Sequence, residues 1–396
     1  MSESNECARM KIAYISDQAF PVEKADAEQV MNNYNALVKA GLQIELIIPD
    51  GWNQRKSHGK KNQENYIKDF YKIAKDVSIV QLSHMPFTRW RLEKFTHPFF
   101  AMFYAWRKKF DVVYTRNLPM ALIASFFNTQ LLYETYKIEN KNKLLRFILL
   151  RALKKNKLLG VITHSHLSKQ SIVNLGIEEK KVLVAHNGFN PEVFRPHLSK
   201  HEAREKLNIS PEIKIITYAG RIGYQKGLEQ IFAIAEHLDH TFWMIGKVHP
   251  EYESWLKQQK EKYTLRNVIF IPYLTGDVYA QHLMASDILL IPPSDEALIA
   301  GFTVLPIKTF SYMACGRPIL APRQKDVCEV LSEKNAFLVD IGNQDSLVSC
   351  ISKIINFPEE AEKVAKQALF DSDAFSWDAR AKKITHFLRE EQSDRS

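Results

Sequence analysis

The chain has little that could staple it, thread it through a bilayer or stack it as repeats. Its four cysteines (Cys7, Cys315, Cys328, Cys350) form no CxxC and no framework of paired spacings. That excludes a disulfide scaffold, counts against a zinc centre and points to a reducing compartment. No apolar run reaches the ~18 residues that a spanning helix needs. No internal repeat or low-complexity tract is present. The start, Met1-Ser-Glu-Ser-Asn-Glu6, is acidic and polar, so no signal peptide is expected. The expected location is the cytoplasm or the inner face of a membrane.

What is present is an ordinary globular composition, 45% hydrophobic and 25% charged, over 396 residues. That length makes two domains the default. The net charge of +9 is unevenly placed. Residues 1–195 carry 30 Lys+Arg against 18 Asp+Glu, and the remainder carries 24 against 27. The basic excess belongs wholly to the first half, which predicts an anionic partner for it.

One stretch organises the second half. Ile213 to Tyr218 is a β-branched apolar run and reads as a buried strand. Gly220 and Gly223 let the backbone turn and leave room for a ligand. Leu228 to Leu238 then has helical apolar spacing. Two cations, Arg221 and Lys226, therefore sit between a strand end and a helix start. Helix starts carry free N–H groups and partial positive charge. Arg supplies a planar fork and Lys a point charge, a pair suited to a diphosphate. A surface loop with two solvated cations is the competing reading.

Ala219-Gly-Arg-Ile-x-x-x-Lys-Gly227 resembles the donor-phosphate loop of the family 4 retaining glycosyltransferases. Ala185-His-Asn-Gly-Phe-Asn190 with Phe194-Arg-Pro196, Asn267-Val-Ile-Phe270, Ala285 to Ser294 and Tyr312-Met-Ala-Cys-Gly-Arg-Pro-Ile319 match in order along most of the chain. The resemblance implies an α/β GT-B fold of two Rossmann-like domains facing across a cleft. Residues 1–198 would form an acceptor-binding domain and 199–370 a nucleotide-sugar-binding domain. Residues 371–396 would form a helix returning to the first domain. It also implies that Arg221 and Lys226 contact the donor diphosphate, with Gly220, Gly223, Gly301, Phe302, Lys308 and Ser311 around them. The reaction would retain anomeric configuration and use no metal or other cofactor. The substrates would be a nucleotide sugar (UDP or GDP) and a lipid-linked or cell-envelope glycan acceptor.

The chain departs from that pattern at informative places. Alignment on Tyr312 puts Thr303 and Ser311 where relatives carry two glutamates, the second of which holds the donor ribose. Glu296 is the nearest acid and reads as a loop carboxylate. Relatives often show Glu-x-His-Asp where this chain has Glu134-Thr-Tyr-Lys137, so no catalytic His transfers and no side-chain base is assigned. In such relatives the leaving phosphate itself takes the acceptor's proton. Segment 17–24 lacks the glycines usual there.

In the first half, strands are expected at 11–16, 43–48, 77–82, 111–114 and 131–134, a helix at 25–40 and a mobile loop at 50–65. Arg116 and Asn117 follow a strand end, where α/β ligands gather. With Tyr136 they form the expected acceptor or donor-sugar side. Residues 84–110 and 137–157 interleave aromatics or leucines with Arg and Lys. They read either as sheet-packing helices with solvated cations or as helices lying on anionic lipid. No nucleic-acid module is visible, and nucleic acid is not expected. His164 and His166 lack a third ligand, so Ser165 and Ser168 read as helix caps instead. Asp371-Ser-Asp373 is expected to cap the last helix, and 195–211 to be a linker.

Two other functions share these residues. One is a UDP-sugar epimerase of the same fold; the other is a weakened family member acting as a binding partner.

Overall fold

Alternation of β-branched runs with 3.6-periodic segments produces parallel strands joined by helices. The computed structural model describes residues 10–18, 20–50, 60–74, 76–82, 93–127, 129–136, 143–155, 157–293 and 305–393. The chain divides into two compact units, Met1–Asn187 with Trp377–Ser396, and Gly188–Ser376.

The first unit runs β1 (Lys11–Ile15), α1 (Ala25–Lys39), β2 (Gln43–Pro49), α2 (Lys60–Tyr71), β3 (Ile79–Leu82), α3 (Glu93–Arg107) and β4 (Val112–Thr115). It continues with α4 (Leu118–Ala124), β5 (Gln130–Thr135), α5 (Lys143–Lys155), β6 (Lys157–Thr163), α6 (His166–Val173) and β7 (Val182–Val184). The strands pair in parallel in the order β3-β2-β1-β4-β5-β6-β7. The order reverses at β1, so right-handed crossovers put α1 and α2 on one face and α3 to α6 on the other. Each face has its own core, one around Tyr34, Leu46 and Ile48, the other around Met102, Met120 and Leu149.

The second unit runs α7 (Pro191–Phe194), α8 (Lys200–Lys206), β8 (Ile215–Ala219), α9 (Leu228–Ala235), β9 (Thr241–Ile245), α10 (Glu253–Lys262) and β10 (Val268–Ile271). Then come α11 (Gly276–Met284), β11 (Ile288–Leu290), α12 (Lys308–Ala314), β12 (Ile319–Pro322), β13 (Phe337–Val339), α13 (Gln344–Asn356) and α14 (Pro358–Ser372). Its parallel sheet has the order β10-β9-β8-β11-β12-β13, again reversing at its first strand.

The last helix, α15 (Trp377–Ser393), returns to the first unit, where it packs beside α1. Trp377, Arg380, Ala381, Ile384 and Leu388 make its buried stripe. Gly160 on β6 is what lets it lie close, because a Cβ there would strike the Phe387 ring. No helix among the described residues is long and apolar enough to cross a membrane.

Three expectations are corrected. Residues 60–65, expected in a loop, begin α2, while 51–59 lie outside the described residues. The stretch 195–211 is built structure. Ser199 and Glu202 form a reciprocal capping box on α8, and Arg204 is buried against Asp287 at 2.7 Å. Asp371 closes α14 by accepting from Asn335 and Gln367, and Asp373 pairs with Arg195, so their bonds run elsewhere than to the start of α15.

Candidate functional site

All five residues of β8 are buried, so the strand end is fixed by packing as well as by its ladder. Tyr312 on α12 adds a side-chain anchor, its hydroxyl accepting from Ala219 N at 2.8 Å. Gly220 then adopts φ +149° and Gly246, at the end of β9, φ +152°. A Cβ on Gly246 would run into the Gly220 carbonyl, so these two strand ends abut because Gly246 lacks a side chain. After Ile222 bridges Val248, a 3-10 turn (Tyr224–Lys226) and Gly227 lead into α9.

Cations gather on this strand end. Arg221 is exposed and Lys226 half-buried. Lys308, the first residue of α12, lays its ammonium 3.7 Å above the centre of the Tyr218 ring. The Tyr218 hydroxyl donates to Arg221 O at 2.7 Å, which draws the loop over the same ring. A Cβ on Gly220 would come within 2.9 Å of Lys308 Nζ. Burial first, and the Lys226 charge second, push the Lys308 ammonium well below the ordinary lysine range. Among the described residues no carboxylate pairs with Lys308. A half-buried amine held next to another cation is one whose charged form a nearby anion would favour.

The structure therefore brings Gly220, Arg221, Lys226 and Lys308 together, and sets Ser311 one turn beyond Lys308 on the half-exposed side of α12. Gly223 yields its side-chain space to an aromatic ring. The space a side chain would need there is filled by the Tyr252 ring, 2.7 Å from where a Cβ would stand. Gly301, Phe302, Thr303, Glu296 and Lys137 lie outside the described residues.

The first unit holds a second polar cluster, centred on Glu134 at the end of β5. Glu134 is 1% exposed. His164 Nε2 lies 2.6 Å from its Oε1, Arg380 Nη2 3.1 Å from the same atom, and the Tyr114 hydroxyl donates to Oε2. Arg116 stands 4.0 Å away, donates to Gln29 Oε1 at 2.9 Å and stacks its guanidinium over Tyr136 at 5.4 Å. Burial alone would raise the Glu134 carboxyl. Arg380, the His164 hydrogen bond and Arg116 outweigh it and hold the group below the usual range. Burial takes His164 the other way, down to about 4, against the pull of Glu134. His164 is thus neutral and donates Nε2–H to an ionised Glu134.

Arg116 and Tyr136 are brought together. Asn117 is spent on structure, accepting from Met120 N at 2.8 Å as the cap of α4 and donating to Asp17 at 2.7 Å. Ser165 caps α6, accepting from Ser168 N, while Ser168 itself is inside the helix. The cluster of Glu134, His164, Arg380 and Gln29 was missed in the sequence. One signal was available: Arg380 occupies a core position of an amphipathic helix, which requires a buried partner.

Two Rossmann-like parallel-sheet units with a last helix that rejoins the first define the GT-B architecture. Within it, residues 199–371 match the model of the glycosyl transferases group 1. A sulfoquinovosyl transferase of Arabidopsis thaliana is 25% identical over 233 residues, 57% of this chain and 43% of that protein. The chain spans about half the length of the curated relatives it matches. Among solved structures, sucrose-phosphate synthase of Thermosynechococcus elongatus superposes with a TM-score of 0.78 at 18% identity, over 98% of this chain and all of that one. HepE of Anabaena, solved in complex with UDP, gives 0.73 at 15% identity, over 96% of this chain and 100% of that one.

Proposed function

We propose that the chain is a glycosyltransferase that moves a sugar from a nucleoside diphosphate to a lipid-linked or cell-envelope glycan acceptor with retained configuration. The observation that supports it is the gathering of Arg221, Lys226 and Lys308 at one strand end inside the family segment. As the glycosidic bond to the donor breaks, negative charge grows on the leaving diphosphate. Cations fixed beforehand stabilise that charge without reorganising. In this reading they supply the charge that a metal supplies elsewhere. With no carboxylate assigned as base, the leaving phosphate accepts the acceptor's proton. HepE was solved with UDP, which favours a UDP-sugar as the first donor to try.

The test is a thermal-shift screen of UDP- and GDP-sugars, since a ligand that binds only the folded state raises the melting temperature. Product analysis with and without glycan acceptors follows. Transfer to an acceptor, with the anomeric configuration read by NMR, is the expected result. Sugar interconversion without acceptor would identify an epimerase, and binding without turnover a partner protein. No shift with any nucleotide sugar would remove the reading.

Ser311 gives a finer test. A neutral hydroxyl stands where relatives place a carboxylate against two ribose hydroxyls, so donor affinity is expected to be modest. Ser311→Glu should tighten donor binding by about 1 kcal/mol, the net scale of such bonds. Calorimetry on the folded variant checks it. Unimproved binding would mean that Ser311 does not face the ribose.

A further inference from the structure

The face of the first unit covered by α3, α4 and α5 has two sides of opposite character. Inward, Ala101, Met102 and Ala105 of α3, Met120, Ala121 and Ala124 of α4, and Leu149, Ala152 and Leu153 of α5 are buried in one core. α4 packs against both neighbours, so the three helices form a continuous layer over the sheet. That satisfies the ordinary need of an amphipathic helix.

Outward, large apolar side chains are exposed where no packing need explains them. On α3, Phe99 is 55% exposed, Phe103 46% and Trp106 56%. Their spacing of four and three residues sets them along one edge of the helix. Phe147 on α5 is 63% exposed, and Phe126, just after α4, 76%. The Phe103 and Trp106 rings lie 5.8 Å apart, against each other. Single exposed apolar residues are normal, but a cluster on adjacent elements marks an interaction surface.

Along two stretches of this layer the charge is of one sign. Residues 99–110 carry Arg107, Lys108 and Lys109, and residues 143–154 carry Lys143, Arg146, Arg151 and Lys154, with no Asp or Glu in either stretch. All seven are exposed. We propose that this α3–α4–α5 face docks the protein on an anionic lipid bilayer. The aromatic rings would lie at the headgroup level and the cations against lipid phosphates. A second copy of the chain fits the face poorly, because self-association would set seven cations against seven with no carboxylate from these stretches between them.

The experiment uses the full chain and needs no sugar nucleotide, so its failure is distinguishable from failure of the glycosyltransferase reading. Co-sedimentation is measured with phosphatidylcholine vesicles and with vesicles that also contain phosphatidylglycerol, at low and high salt. Binding is expected only with phosphatidylglycerol, and should weaken as salt rises, since exposed charges are screened. Phe103→Ser with Trp106→Ser, and separately Arg146→Gln with Arg151→Gln and Lys154→Gln, should each lower partitioning roughly tenfold or more. These side chains are exposed, so unchanged melting temperatures confirm folding. Equal binding to both vesicle types, or to neither, overturns the proposal. So does a dimer in light scattering that the aromatic pair of substitutions disperses, or tighter binding to a single-stranded oligonucleotide than to the anionic vesicles.

Discussion

Arg380→Ala is expected to destabilise the first unit by about 3–5 kcal/mol, the scale of an uncompensated buried charge. Arg380 is 2% exposed and bonds four groups: Asn33 Oδ1 at 3.0 Å, Ala185 O, His186 O at 3.0 Å and Glu134 Oε1 at 3.1 Å. It is the tie between α15 and the core of β5, β7 and α1. Without it, Glu134 keeps the Tyr114 hydroxyl and a neutral His164 as close donors, with the Arg116 guanidinium 4.0 Å away. The alanine variant should therefore recover part of its stability when Glu134 is neutralised by Glu134→Gln, and a double-mutant cycle in urea measures that coupling. A loss below about 1 kcal/mol would mean that Arg380 does not anchor the helix.

The same cluster sets an acid limit. His164 titrates near 4 in the folded chain and near 6.5 when unfolded. Between those values the unfolded chain binds more protons, so stability falls as pH drops from 6.5 to 4. Glu134, depressed in the folded state, adds its own loss below its unfolded value of 4.5. Decline in urea midpoint beginning above pH 5 is the expected signature. His164→Gln should remove the upper part of it.

The second large effect concerns the cation cluster. Arg221→Ala and Lys226→Ala should each weaken nucleoside diphosphate binding by about 1.5–3 kcal/mol, the range for a hydrogen bond to a charged group. Both side chains are at least partly exposed, so melting temperature should hardly move. Unchanged affinity in both folded variants would remove them from the site. Lys308 adds a pH dependence with a definite sign. Its ammonium is depressed in the free protein and would be raised by a bound dianion. Binding then takes up a proton, and affinity should rise as pH is lowered between the free and bound values. Calorimetry in buffers of different ionisation enthalpy reads that proton directly. In Lys226→Ala the uptake should shrink, because the neighbour that depresses Lys308 is gone.

Much of this was legible in the residues themselves. The strands read correctly because a parallel sheet buried on both faces demands continuous apolar β-branched runs, as in Ile12–Ile15 and Ile215–Ala219. Gly220, Arg221 and Lys226 were legible because a strand-to-loop-to-helix junction is a local feature. The packing neighbour of Gly223 was not legible, for the opposite reason. The ring that fills its space comes from Tyr252, 29 residues away, and short-range spacing carries no trace of it. Asp371 and Asp373 mimicked caps, but their partners, Asn335 and Arg195, come from other elements.

By itself, then, the sequence determined the order of elements, the double α/β architecture, the basic first half and the cation-bearing loop between β8 and α9. All of these depend on neighbours within about one turn or one strand, or on summed charge. Tertiary structure alone decided which charges became buried partners. Glu134 and Arg380 stand 246 residues apart, and His164 joins them from just beyond β6. Lys308 reaches the Tyr218 ring from α12. A buried ion is tolerable only when its counter-groups arrive at hydrogen-bond distance, and chain folding is what sets that distance.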